Sequence, residues 1–289
     1  MWTFGFPTVA SENENHLAWR DKILTILDSI RNLNIPEYEI IIVGGPYPKN
    51  GRNAYRLHAF GDVKHIPFDD QTDWIKDDSF LKLRNGLSIK DEKSEEYAVK
   101  KLDINKRKHP GIKSGWTTKK KNLIWQNAKY ENVVIFHDYY KFDKDWFNGF
   151  NKFGYDWDFC WNVKHTISGE RFRDWILWDH PTLPKRMLLP YDQKSFTNHQ
   201  YFDGNYTVGK KAAWEKHPLN EDLLHYYGDD VEWSYRVRKD ESLKLDFNPH
   251  SKVEHIIPRT TGDEEYSWET QAQKERALNF LKTNFPEEW

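Results

Sequence analysis

Residues 132–139 read NVVIFHDY, an apolar run that predicts a buried strand and is followed at once by His137 and Asp138. In an open parallel sheet, ligands bind beyond the carboxyl ends of the strands. A carboxylate in that place can bind a divalent cation, which in turn neutralises a diphosphate. An aspartate also commonly begins a turn after a strand. The dipeptide alone therefore leaves both interpretations open.

The flanking segments predict the other elements of an α/β fold. Residues 3–10 and 39–43 are predicted strands, and the helix between them follows a capping box at 11–14. This order is typical of a parallel sheet, which a strand at 63–67 extends. The remaining patterns predict helices at about 117–129, from about 229 and at 265–282, and strands at 157–163, 243–247 and 252–257.

Composition narrows the function classes. With 43 Lys and Arg against 45 Asp and Glu, the chain lacks the basic excess that is typical of nucleic-acid binders. The single cysteine, Cys160, excludes an internal disulfide framework. No signal-peptide pattern and no apolar run of ~20 residues is present, so we expect a cytoplasmic protein without a transmembrane segment.

The organisation favours one domain with two functional halves, about 1–140 and about 141–289, because no repeat and no Pro- or Gly-rich linker divides the chain. The highly charged segment 76–114 is interpreted as a mobile lid, and a solvated excursion of the chain is the alternative.

A second acidic cluster, Asp229 and Asp230, stands at a predicted helix start. One of these carboxylates could be a general base that deprotonates an acceptor hydroxyl. Helix capping is the alternative role, since aspartate is favoured at helix N-termini; it explains one aspartate more easily than two.

His255 lies in a predicted strand, where it could be a metal ligand or a buried core histidine, and His250 competes for the same role.

The helix predicted from Thr117 opens with three lysines, at 119–121. Cations at a helix start are unfavourable to the helix dipole, so the cluster calls for an anionic partner such as a diphosphate. A solvated basic surface is the alternative. Neither a P-loop nor a Gly-x-Gly-x-x-Gly fingerprint occurs in the sequence.

Taken in order, these pieces resemble GT-A glycosyltransferases of the large family-two type. The stretches that carry the resemblance are 115–122, 132–139, 204–211, 218–223 and 228–236. The resemblance implies a Rossmann-like, mostly parallel central sheet flanked by helices, with a C-terminal helix. It also implies a nucleotide-sugar-binding N-terminal half and an acceptor-binding C-terminal half.

The resemblance further implies roles for single residues. Asp230 corresponds to the base of inverting members, with Asp229 beside it, and Asp138 with His255 corresponds to the site of a divalent cation, Mn²⁺ or Mg²⁺. The donor-binding set is Thr8, Ala10, Asp69, Lys121, Asn122, His137 and Asp138. Acceptor contacts are expected from Gly204 and Asn205 and from Trp161 and Trp233, with Trp178 a further candidate for stacking on a sugar.

The sequence departs from the family pattern at two points. Tyr139 and Tyr140 follow Asp138, so the second metal-binding aspartate is missing, and the second strand ends in Gly44-Gly45-Pro46 without the acidic residues often found there. The hypothesis is an inverting transfer of a hexosyl or related group from a nucleoside-diphosphate sugar to a carbohydrate or glycoconjugate hydroxyl. A non-catalytic carbohydrate-binding protein on a degenerate transferase scaffold is the first alternative. A nucleotidyltransferase is the second, although the expected Gly-rich phosphate loop is missing near residues 7–11.

Overall fold

The structure is a computed structural model, and it describes residues 1–9, 16–45, 61–68, 117–177, 187–193, 199–221 and 229–258, together with 279, 282 and 283. The predicted capping box at 11–14 and the predicted lid at 76–114 lie outside these ranges. So does most of the predicted C-terminal helix at 265–282, of which Asn279 and Lys282 are described as helical.

The described helices alternate with strands along the chain. The helices are α1 (His16–Arg31), α2 (Thr117–Gln126), α3 (Trp146–Phe153), α4 (Lys211–Lys216) and α5 (Asp229–Arg238). The strands are β1 (Trp2–Val9), β2 (Tyr38–Gly45), β3 (Val63–Ile66), β4 (Asn132–Phe136), β5 (Tyr140–Phe142), β6 (Phe159–His165), β7 (Ile176–Leu177), β8 (Met187–Leu188), β9 (Gln200–Tyr201), β10 (Tyr206–Lys210) and β11 (Leu245–His255).

Eight of these strands form one mixed, mostly parallel sheet in the order β3-β2-β1-β4-β10-β6-β11-β5. Strands β1 to β4 run parallel to one another, which confirms the predicted strand-helix-strand unit. Strand β10 runs antiparallel between β4 and β6. The sheet thus takes strands from both predicted halves of the chain, and the assignment of a donor half and an acceptor half stays a prediction.

The side chains of the strands alternate between two buried clusters, as the period of two requires. On one face, Phe4 and Phe136 pack with the apolar stripe of α1. On the other face, Val133 and Ile135 pack with Ile124 of α2. The sheet is therefore covered on both faces, which explains why its parallel strands read as continuous apolar runs.

The C-terminal strands differ from the prediction. The two strands expected at 243–247 and 252–257 are one strand, β11, whose pairing with β6 shifts register between Asn248 and Lys252. The small sheet β8-β7-β9 and strand β10 were not predicted, because short strands give too few alternating positions to be recognised.

Among the residues described, none of the helices is both long and apolar enough to cross a membrane.

Gly5 allows α2 to lie directly on β1. A β-carbon at this position would overlap the side chain of Ile124, which is fully buried. Gly5→Ala should therefore lower the free energy of unfolding by about 1–3 kcal/mol through overpacking, as measured by urea denaturation.

The double variant Gly5→Ala, Ile124→Ala provides the control. If the clash with Ile124 is the cause, the double variant should lose less stability than the two single variants added together. Strictly additive losses would contradict the proposed contact.

Candidate active site

The carboxyl ends of β1 and β4 bring three side chains together. Thr8 Oγ1 donates a hydrogen bond of 2.9 Å to Asp138 Oδ2. Lys22, on α1, places its Nζ 3.0 Å from the same carboxylate oxygen. Asp138 thus lies where the sequence placed it, just beyond the end of β4, and it is bonded across the sheet edge to the next strand.

The turn Asp203-Gly204-Asn205 lies against the end of β4. The backbone N–H of His137 donates to the carbonyl of Asn205 over 2.8 Å. The Asn205 side chain accepts a hydrogen bond of 2.8 Å from the Tyr140 hydroxyl and donates one of 2.6 Å to Asp203. Lys164 Nζ, which is fully buried, lies 3.2 Å from Asp203 and 3.3 Å from the Asn205 side-chain oxygen. These contacts fix the turn beside His137 and Asp138.

Asp230 packs against the other side of the same turn. A β-carbon at Gly204 would lie only 2.7 Å from the β-carbon of Asp230. The Tyr201 hydroxyl donates to the Asp230 carboxylate. The Ser234 hydroxyl donates to the Asp230 carbonyl over 2.6 Å and accepts from the backbone N–H of Phe202 over 2.9 Å. The start of α5 is thereby held to the residues that precede the turn.

The acidic cluster has unusual protonation properties. Burial, followed by the charge of Asp229, raises the pKa of Asp230 to about 6, although the hydrogen bond from Tyr201 acts to lower it. Burial also raises the pKa of Asp229, while Lys121 opposes that rise. A carboxylate with a pKa near 6 is ionised at neutral pH yet accepts a proton far more readily than an ordinary aspartate.

Lys121 belongs to this cluster. It is 2% exposed, and its Nζ donates to the Gly204 carbonyl over 2.5 Å. Burial lowers its pKa, and Asp229, Asp230 and Asp203 act in the opposite direction. Lys120, fully buried, donates to the Thr8 carbonyl over 3.2 Å. The interpretation of the basic helix start as a solvated surface is therefore wrong for these two lysines.

Asn122, a predicted donor-binding residue, is engaged with the protein. Its side-chain amide donates to the Leu219 carbonyl over 2.9 Å and to Glu221 over 3.0 Å, and its oxygen accepts from Trp125 and from the Leu219 backbone N–H. It is 1% exposed. In this structure, Asn122 ties α2 to the segment that follows α4.

The two tryptophans expected to stack on an acceptor lie in the core. Trp161 and Trp233 are each 1% exposed. Trp161 stacks on Phe202 with ring centroids 3.9 Å apart, and the indole N–H of Trp233 donates to the His217 carbonyl over 2.8 Å. Neither ring presents a face to a sugar here. Ala10, Asp69 and Trp178 fall outside the described residues, and their predicted roles stay predictions.

Within the part of the chain that the structure describes, the neighbours of Asp138 and His255 do not form a divalent-cation site. His255 is fully buried, with its ring 4.5 Å from the rings of both Tyr140 and Phe172, whereas Asp138 contacts Thr8 and Lys22. Within the described ranges, no group of three or more His, Cys, Asp or Glu side chains could hold a metal ion. The expected pairing of Asp138 and His255 around Mn²⁺ or Mg²⁺ is therefore not supported by the neighbours of either residue.

Several site residues were not predicted from the sequence: Lys22, Lys164, Tyr201, Asp203 and Ser234. Asp203 stands directly before Gly204 and Asn205, so its position in the chain was a usable signal. Tyr201 and Ser234 carried none, because a tyrosine in a short strand and a serine in a helix are ordinary.

The architecture defines a class. A mostly parallel central sheet flanked by helices is the architecture of the GT-A-type glycosyltransferase fold. No protein-family model matches the chain, and no curated protein matches it in sequence.

Solved structures confirm the fold. The chain is similar to GalNAc-T7, solved with UDP, GalNAc and Mn²⁺, at a TM-score of 0.55 and 12% identity, over 99% of this chain and 49% of that one. It is also similar to TarS of S. aureus, at a TM-score of 0.51 and 11% identity, over 89% of this chain and 36% of that one. The chain thus spans less than half the length of either protein, and at these identities the likeness concerns the fold alone.

Gly204→Ala should impair catalysis more than it impairs folding, because the new methyl group must displace Asp230. Overpacking costs about 1–3 kcal/mol of stability, while a misplacement of ~1 Å in a catalytic group can cost about a hundredfold in rate. Thermal melting and turnover of a sugar nucleotide measure the two effects.

Gly209→Ala is the matched control. Its new β-carbon would lie 2.6 Å from the ring of Phe159, which is on the neighbouring strand β6, and Asp230 is not among its nearest contacts. We expect a comparable loss of stability with turnover retained. Equal turnover losses in the two variants would contradict a special role for the Gly204–Asp230 contact.

Proposed function

We propose that the protein transfers a sugar from a nucleoside-diphosphate donor to an acceptor hydroxyl with inversion at the anomeric carbon. The observation that carries the proposal is the carboxylate pair at the start of α5, in which Asp229 is buried and Asp230 is half-buried. It packs against a turn that is itself bonded to the residues following β4. This contact supports the proposal, because one short segment joins the proposed proton acceptor to the residues of the proposed donor site.

Asp230 is the proposed base. In the reaction, the acceptor hydroxyl gives its proton to the Asp230 carboxylate while its oxygen forms a bond to the anomeric carbon. The bond from that carbon to the diphosphate oxygen breaks, and the nucleoside diphosphate leaves with the electron pair. Asp229 supports this role through its negative charge, which raises the pKa of its neighbour. Lys121 stabilises both carboxylates in the buried cluster.

The donor is proposed to bind at the carboxyl ends of β1 and β4, near Thr8, His137 and Asp138. Ala10 and Asp69 remain proposed contacts of the nucleotide, and Gly204 and Asn205 are proposed to face the acceptor. UDP and GalNAc in the GalNAc-T7 structure make UDP-sugars the donors to test first. That structure also holds Mn²⁺. Since the described residues do not fit a metal site, no step of the proposed reaction is assigned to a metal.

Asp230→Asn should abolish transfer, because an amide cannot take the acceptor proton, while binding of the donor nucleotide stays nearly unchanged. Release of free nucleotide from UDP-, GDP- and other nucleoside-diphosphate sugars, with mixed saccharide acceptors, measures the first effect, and calorimetry with UDP or GDP measures the second.

Asp156→Asn is the matched control, since Asp156 is 86% exposed in its side chain and pairs with Lys244 away from the site. It should behave as wild type. Retained turnover in Asp230→Asn would remove Asp230 from the base role.

The acid limb of the pH profile should report the ionisation of Asp230. With a pKa of about 6 for Asp230, kcat/KM should fall as the pH drops below about 6. Tyr201→Phe removes a hydrogen bond that lowers this pKa, so the limb should move to higher pH. The acid limb of Tyr206→Phe, whose hydroxyl bonds Asn162 in the core, should stay in place. An unmoved limb in Tyr201→Phe would contradict the assignment.

One observation favours a second candidate, a non-catalytic carbohydrate-binding protein on the same scaffold. The described part of the chain has no group of ligands for the metal that the resemblance implies. The two functions separate in one assay. A catalyst releases free nucleotide in proportion to added acceptor, whereas a binding protein saturates with the sugar nucleotide and releases none.

A further inference from the structure

The ion pair between Lys22 and Asp138 occupies the place where the resemblance implies a metal. Lys22 Nζ lies 3.0 Å from Asp138 Oδ2, and the Thr8 hydroxyl donates to the same oxygen over 2.9 Å. Three elements, β1, α1 and the segment after β4, converge on this one carboxylate oxygen. A metal ion at that oxygen would have to displace an ammonium group that already neutralises it.

The charges nearby point to Lys22 as the cation that can meet a ligand. Lys120 and Lys121 are buried and donate to the backbone carbonyls of Thr8 and Gly204. The side chains of Lys22 and Asp138 keep 18% and 17% of their surface exposed. Among the described residues, the side chain of Lys22 is therefore partly accessible to solvent beside Asp138, whereas Lys120 and Lys121 are enclosed by the protein.

We propose that Lys22 supplies the positive charge that binds the donor diphosphate, and that Asp138 positions Lys22 instead of ligating a metal. An ammonium carries three N–H donors, so it can keep its bond to Asp138 and donate to phosphate oxygens as well. Such charge-assisted bonds strengthen as the diphosphate gains negative charge on leaving. The inference rests on the proposed function and adds to it a donor site that works without a divalent cation.

Calorimetric titration with UDP, and in parallel with GDP, tests the inference. Each is measured once with EDTA and once with Mn²⁺, on wild type, Lys22→Met and Lys22→Arg. We expect wild type to bind with nearly the same Kd in both buffers, and Lys22→Met to bind about tenfold more weakly or worse in both. Lys22→Arg, which keeps the charge, should retain most of the affinity.

Arg20→Met is the matched control, because Arg20 is an exposed cation on the same helix. It should bind as wild type does, which separates a local contact from a general loss of positive charge. Thermal melting of every variant confirms that it is folded.

Asp138→Asn distinguishes the two roles of the carboxylate. If Asp138 positions Lys22, the variant should weaken binding equally in EDTA and in Mn²⁺. If Asp138 is a metal ligand, the loss appears in Mn²⁺ alone.

Three results would overturn the inference alone: wild-type binding that requires Mn²⁺, wild-type affinity in Lys22→Met, or a loss in Asp138→Asn that is confined to Mn²⁺. If wild type binds no nucleoside diphosphate in either buffer, the proposed function fails, and the inference fails with it.

Discussion

The antiparallel pairing of β10 with β4 is the constraint on which the site depends. Its register places Tyr206 opposite Phe136, so the residues before β10 meet the residues after β4. The hydrogen bond from His137 to Asn205 continues the pairing by one step. Gly204 then brings Asp230 to the same turn, because its lack of a side chain allows the close approach. A different register would separate Asp138 from the acidic cluster.

Buried charges around this turn balance one another. Lys164 pairs with Asp203, and Lys121 lies among Asp203, Asp229 and Asp230. Burial acts to raise the pKa of Asp203, but Lys164 and its other partners lower it overall, so this carboxylate stays ionised. At Asp230, the hydrogen bond from Tyr201 and the charge of Lys121 do not offset the effects of burial and of Asp229, so its pKa rises to about 6. Two carboxylates in one cluster therefore differ in proton affinity: the pKa of Asp203 is lowered, whereas that of Asp230, the proposed base, is raised to about 6. Pairs of titratable groups driven apart in this way are typical of catalytic sites.

The sequence predicted the elements that depend on local pattern. Strands β1 to β4, helix α2 and the start of α5 fall within a few residues of their predicted bounds, because alternation and helical spacing are properties of short segments. The positions of Asp138 after β4 and of Asp230 at a helix start follow from the same patterns. The sequence did not predict which side chains are exposed. Trp161 and Trp233 were expected to face a sugar, and both are core residues. Composition cannot separate a tryptophan that stacks on a ligand from one that fills the interior.

By itself, the sequence determined strands β1 to β4, the helices α1 and α2, the start of α5, and the acidic groups that stand at the ends of these elements. Only the tertiary structure decided which of these groups meet. Thr8 and Asp138 are separated by 130 residues, and their hydrogen bond exists because β1 and β4 are neighbours in the sheet. The contacts of Lys22 with Asp138 and of Tyr201 with Asp230 likewise join elements that are distant in the sequence. Local propensity acts over a few residues, whereas such contacts are set by strand order and register, which depend on the packing of the whole chain.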